Sequence, residues 1–145
     1  MDEIALVFDP LPSPDLVRLV EENVITHTIL VTGMLEWSPV NYFLKSAHGD
    51  WVGGCLGILW GGYLHVRFLW ITERLRGQGH GGRLLDAAEA HGVAHGATHA
   101  TLDTFNPEAL AFYRKRGFDV FATLADFPPG HAKYFLRKSL SLTAA

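Results

Sequence analysis

Ile71-Thr72-Glu73-Arg74-Leu75-Arg76-Gly77-Gln78-Gly79-His80-Gly81-Gly82 is the stretch whose reading decides the fold. On its amino-terminal side, Tyr63 to Thr72 has the β-branched and aromatic content of a strand. On its carboxyl-terminal side, Gly81 to His95 places Leu84, Leu85, Ala88 and Gly92 on one side and Asp86 and Glu89 opposite, the period of an amphipathic helix. The segment is therefore a strand, a glycine loop and a helix start. Glycines there permit positive φ and close approach of a ligand to the backbone. The first helical N–H groups lack internal partners, and the helix dipole adds partial positive charge. Together these make an anion site suited to a phosphate or pyrophosphate, with Arg76, Arg74 and Arg83 as sources of full charge.

Upstream, Tyr42–Ala47 and Trp51–Trp60 read as two further strands, joined by His48-Gly49-Asp50 and followed by Gly61-Gly62, so that three strands form an antiparallel meander. Downstream, Gly96 closes the helix, His99–Thr104 is a short strand, and Asn106-Pro107-Glu108 opens a helix that ends before Gly117. Phe118–Leu124 and Lys133–Leu140 are the last strands, with the loop Ala125–His131 between them. Near the start, Ile4–Phe8 reads as a strand, and Ser13-Pro14-Asp15 caps a helix that runs to about Asn23. Val24–Pro39 stays open between helix and strand. The pattern predicts one domain over residues 1–145, of mixed α/β (α+β) class.

The chain has 145 residues, 48% of them apolar, and a net charge of −3. A core can form without staples, and the acidic balance argues against a nucleic-acid partner. A single cysteine, Cys55, leaves no disulfide framework or Cys-rich zinc site. The stretch Trp51–Leu64 is uncharged over 14 residues but contains five glycines, too short and too interrupted to span a membrane. The start has no secretory pattern. These features predict a soluble, cytoplasmic domain. His91 and His95 have the spacing of a metal pair but no HExxH context, so no metal is expected.

Gly77-Gln78-Gly79-His80-Gly81-Gly82 satisfies G-x-G-x-x-G, with Asp103 ending the next strand, so a dinucleotide-binding Rossmann unit is one reading. Against it, Glu73-Arg74-Leu75-Arg76 separate the first glycine from the strand, and an antiparallel meander precedes the loop. A second reading accounts for more residues. Arg76-Gly77-Gln78-Gly79-His80-Gly81 fits R-x-x-G-x-G, and Asn106-x-x-Ala109-x-x-Phe112-Tyr113-x-x-x-Gly117-Phe118 follows. This pair of motifs, after a meander, resembles the GNAT superfamily of N-acetyltransferases, over roughly Tyr42 to Leu140.

The resemblance implies a twisted, mostly antiparallel sheet of six to seven strands with one central, splayed parallel pair and helices on both faces. It implies acetyl-coenzyme A as co-substrate, its pyrophosphate on the backbone of Arg76, Gly77, Gln78, Gly79, His80 and Gly81. Its pantetheine arm would pair with the backbone of Leu69 and Ile71, and Asn106 would reach the same arm. Tyr113 would serve the departing thiolate as general acid. A base for the amine acceptor would come from His65, Glu73 or Glu36, of which His65 has the best-suited ordinary pKa. The acceptor, a small molecule or peptide amine, is not readable; similar proteins are often homodimers. A coenzyme A-binding sensor without turnover is the alternative from another class.

Overall fold

The computed structural model describes residues 2–140. The chain divides into two compact units, Met1–Leu35 and Glu36–Ala145.

The first unit is built on helix α1, Pro14–Thr32. Ser13 caps it by accepting a hydrogen bond from the Leu16 N–H at 3.2 Å, and Pro14 occupies the first helical position. The helix runs nine residues beyond Asn23, through threonines that would favour a strand. Their hydroxyls are satisfied inside the helix. Thr28 Oγ1 donates to the Val24 carbonyl at 2.9 Å and Thr32 Oγ1 to the Thr28 carbonyl at 2.8 Å. Gly33 ends it, its N–H bonding the Ile29 carbonyl. The strand expected at Ile4–Phe8 is absent: these residues are exposed and irregular. Five apolar residues do not hold an extended shape without a paired neighbour for their backbone groups.

The second unit is a six-stranded sheet in the order β1-β2-β3-β4-β6-β5. Its strands are β1 Trp37–Lys45, β2 Trp51–Trp60, β3 Tyr63–Ile71, β4 His99–Thr104, β5 Asp119–Ala125 and β6 Ala132–Ser139. Only β3 and β4 pair in parallel; the other neighbours are antiparallel. Helix α2, His80–Ala94, links β3 to β4, and α3, Pro107–Lys115, links β4 to β5. Strand β1 starts five residues earlier than its pattern suggests and includes Pro39. A proline is tolerated there because β1 is an edge strand.

The core is built from Leu64 of β3, Leu85 of α2, Leu102 of β4, Leu136 of β6 and Phe118, all essentially inaccessible. Gly53, Gly54 and Gly57 make room for neighbouring strands: a Cβ on Gly53 would lie 2.8 Å from Ile71 Cδ1. Glu89 departs from its expected outward position. It is buried and ion-paired with Lys138 of β6, which compensates the desolvation of its carboxylate. No helix among the described residues is long and apolar enough to cross a membrane. Phe118→Ala should lower unfolding free energy by about 3–5 kcal/mol in urea denaturation, the range for deleting a buried ring; a loss below about 1 kcal/mol would contradict this packing.

Candidate active site

The site begins with a defect in strand pairing. On β2 and β3, Gly57 faces Val66 and Leu56 faces Phe68, so Arg67 is an extra residue on β3. Such a bulge bends its strand. On the other side, β3 pairs with β4 only at Tyr63, Leu64 and His65, opposite His99, Ala100 and Thr101. From Val66 to Ile71, β3 stays on β2 and leaves β4, which opens a V. Backbone groups alternate in direction along a strand. The Thr72 N–H bonds the Val52 carbonyl of β2 at 2.9 Å, so Phe68 and Trp70 also point toward β2. The backbone groups of Leu69 and Ile71 point into the V. The Ile71 carbonyl already accepts from Arg76 Nε at 3.0 Å.

Beyond β3 the chain makes a 3-10 turn, Glu73–Leu75, and reaches α2 through Arg76 to Gly79. Gly77 and Gly79 have φ of +74° and +84°, where any other side chain is strained, and a Cβ on either would meet nothing within 4 Å. The loop backbone is therefore open to a ligand. Gly79 supplies no side-chain cap to α2, and the first helical bond is from the Arg83 N–H to the Gly79 carbonyl. The N–H groups of His80, Gly81 and Gly82 are left without partners inside the helix. Beside them, Lys45, Ser46, Arg74, His80 and Arg83 line a cavity of about 220 Å³. Lys45, on β1, carried no sequence signal because only the fold brings it to this loop.

The third component is α3. Asn106 caps it, its Oδ1 accepting from the Glu108 N–H at 3.0 Å, which leaves the side-chain NH₂ free to donate. The Phe-Tyr-x-x-x-Gly-Phe motif is a helix stop with a physical logic. The Gly117 N–H bonds the Arg114 carbonyl and the Phe118 N–H bonds the Tyr113 carbonyl, at 3.0 and 3.1 Å. This closure needs the positive φ of Gly117, +93°, and sets the Phe118 ring edge-on to Tyr113 at 5.9 Å. Tyr113 is held from both sides, with Phe112 edge-on at 5.2 Å. Phe112 in turn lies over the first turn of α2: a Cβ on Gly81 would be 3.4 Å from its ring and 4.0 Å from Leu69. Thus the open part of β3, the start of α2 and the aromatic pair of α3 converge.

Burial is the main cause that raises the Tyr113 pKa above its ordinary value, and the nearby Cys55 adds to it. Tyr113 is therefore a protonated hydrogen-bond donor at neutral pH, and its hydroxyl has no hydrogen-bond partner among the described residues. Burial also pushes the Cys55 thiol up to about 11, and its side chain is inaccessible, which suits packing rather than nucleophilic attack. His65 is half-buried at the apex of the V, on the face opposite Leu64 and Val66. Glu73 is exposed on the 3-10 turn, and Glu36 lies just before β1. His91 and His95 stack at 4.3 Å, and Tyr42 hydrogen-bonds His91. Among the described residues no three metal-binding side chains cluster. Of the basic run Arg114-Lys115-Arg116, the first two are exposed, whereas Arg116 turns inward.

A splayed parallel pair feeding a glycine loop and an uncapped helix defines an acyltransferase fold, and comparison with known proteins places it. Residues 13–118 match the Acetyltransferase (GNAT) family, and the chain belongs to that family. It is 32% identical to blasticidin-S acetyltransferase of Streptomyces morookaense over 113 residues, 75% of this chain and 83% of that protein. It is 27% identical to acetyltransferase Atu2258 of Agrobacterium fabrum, over 83% of this chain and 88% of the other. A crystal structure of an acetyltransferase from Bacillus cereus superposes with a TM-score of 0.80 at 26% identity, covering 92% of this chain and 98% of that one. The Rossmann reading is thereby set aside.

The Cys55 environment has a measurable consequence. The thiol ionises near 9.0 when unfolded and about 11 when folded, so the folded state binds the proton more tightly. Its contribution to stability should be complete below pH 9 and lost as pH rises toward 11. Native protein should resist thiol alkylation at pH 8 and react fully once denatured; fast native labelling would refute the buried placement.

Proposed function

We propose that this acetyltransferase transfers the acetyl group of acetyl-coenzyme A to a primary amine by direct attack within a ternary complex. The observation that carries this is two neighbouring sets of unused backbone donors, at Leu69 and Ile71 on β3 and at His80, Gly81 and Gly82 on α2. An amide-bearing arm fits the first part as an added strand, and a pyrophosphate fits the second. Arg76, Gly77, Gln78 and Gly79 complete the cradle, and the free amide of Asn106 donates to the arm.

The chain's residues then divide the chemistry. The Ile71 N–H faces the V and is suited to receive the developing oxyanion. An alkylamine with a pKa near 10.4 is neutral in only about one part in a few thousand at pH 7, so a base aids the attack. His65 at the apex of the V is the proposed base, directly or through water, with Glu73 its competitor on the loop. Tyr113 donates a hydrogen bond to the departing sulfur. Its raised pKa makes complete proton transfer unfavourable but keeps the donor proton in place.

For the acceptor, a cavity of about 360 Å³ opens beyond the carboxyl end of β4, lined by Phe105, Asp126, His131 and Tyr134 among others. Aromatic walls with a carboxylate suit a small organic amine, in keeping with the blasticidin-S acetyltransferase relative. Thiol release should be screened with blasticidin S, other small amines and peptide amino termini. Release with none of them, alongside tight coenzyme A binding, would favour the sensor reading.

Four substitutions test the assignments. Tyr113→Phe should lower kcat by about tenfold or more while coenzyme A affinity by calorimetry holds; unchanged kcat would remove the donor role. Gly79→Ala forces a Cβ into a left-handed backbone and should weaken coenzyme A binding by about tenfold or more. Wild-type affinity in the folded variant would remove the pyrophosphate site. His65→Ala should flatten the acidic limb of the rate–pH profile and Glu73→Gln should leave it; the reverse result assigns the base to Glu73.

A further inference from the structure

The carboxyl-terminal end of α3 is fastened to the first turn of α2 by one side chain. Arg116, the residue that closes α3, sends its guanidinium across to α2, where Nη2 donates to the Gly82 carbonyl at 3.0 Å and pairs with Asp86 Oδ1. The same guanidinium lies 5.9 Å from the Phe112 ring. The contact depends on the absence of a side chain at Gly82, since a Cβ there would lie 2.6 Å from Arg116 Nη1. Arg116 Nε is buried without a hydrogen-bond partner. The polar contacts that hold the guanidinium are those of Nη2 to Gly82 and Asp86. Both contacts come from one nitrogen, Nη2, at the far end of the side chain, and a lysine ends one bond short of that atom.

Gly82 belongs to the turn whose free N–H groups form the anion site, and Arg116 is three residues beyond Tyr113 on the same closing turn. We infer that Arg116 is a positioning residue: its bridge to Gly82 and Asp86 sets the place of the Tyr113 hydroxyl relative to the loop Arg76–Gly81. Because the two elements approach from opposite sides of the V, the bridge fixes the distance from thiol donor to phosphate cradle. This inference rests on the acetyl-coenzyme A reading above.

The test is a kinetic cycle on the full chain, using acetyl-coenzyme A and the best acceptor from the amine panel. Arg116→Ala should lower kcat by tenfold or more per folded molecule, while coenzyme A affinity changes less than threefold. Arg116→Lys should fail to restore kcat. In a Tyr113→Phe background the same change should have little further effect on kcat, because Arg116 acts through Tyr113. Gly82→Ala should lower the melting temperature in the wild type and lower it less in Arg116→Ala, where the clash is gone; this readout needs no turnover. Loss of kcat that only tracks the folded fraction would overturn the inference, as would equal losses in the presence and absence of the Tyr113 hydroxyl. A coenzyme A affinity that falls as far as kcat would instead make Arg116 a cofactor contact and overturn it too. Wild-type protein that neither binds coenzyme A nor releases thiol would overturn the acetyltransferase reading itself, and the inference with it.

Discussion

An extra residue in one strand bends it and disrupts the ladder locally, and the rest of this site depends on that bend. Arg67 is the extra residue. Up to His65, β3 holds both β2 and β4; past the bulge it holds β2 alone. The N–H groups of Leu69 and Ile71 and the Leu69 carbonyl, which a regular sheet would consume, face the V instead, while the Ile71 carbonyl is taken by Arg76. Unpaired backbone groups in a protein interior are costly, so the arrangement persists only because water or a ligand strand can reach them. The bulge thus turns a loss of sheet pairing into a binding edge.

Both helices next to this edge are shaped by how they begin or stop. Helix α2 begins without a side-chain cap, and its unmet N–H groups are available at the end of the open strand. Helix α3 is capped by Asn106 and stopped by Gly117, and its stop delivers Tyr113 to the site. Asn106 and Gly117 therefore have a structural duty that a functional motif alone would conceal. Loss of the Asn106 cap alone typically costs about 1 kcal/mol, so activity lost on its replacement must be separated from stability lost.

What was legible in the sequence follows from where information is local. The strand-loop-helix and the two motifs are local patterns, and β2, β3, α2, β4 and α3 appear within about a residue of their expected bounds. The reading failed where tertiary context decides. Ile4–Phe8 had strand composition but no sheet to join. Thr28 and Thr32 left their segment open between helix and strand, and it is helix because their hydroxyls find carbonyls one turn back. Glu89 looked like a surface residue because its partner, Lys138, lies 49 positions away on β6. Lys45 and Arg116 were hidden for the same reason, since side chains from distant segments meet only after folding. Arg116 even sat in a basic run whose other two members are exposed.

Cys55 completes the chemical logic. A thioester donor can react in two ways, through an acyl-enzyme on a protein thiol or by direct attack of the acceptor. The chain has one cysteine, and it lies inside the core near Tyr113, with its thiol held protonated to about 11. Burial that stabilises the fold here also withholds the thiolate. The same low-dielectric surroundings raise the Tyr113 pKa, so one environment withholds a protein thiolate and keeps the Tyr113 proton in place. Under the proposed direct transfer, a site that suppresses its own nucleophile while holding a donor ready would serve an acceptor that brings its own lone pair.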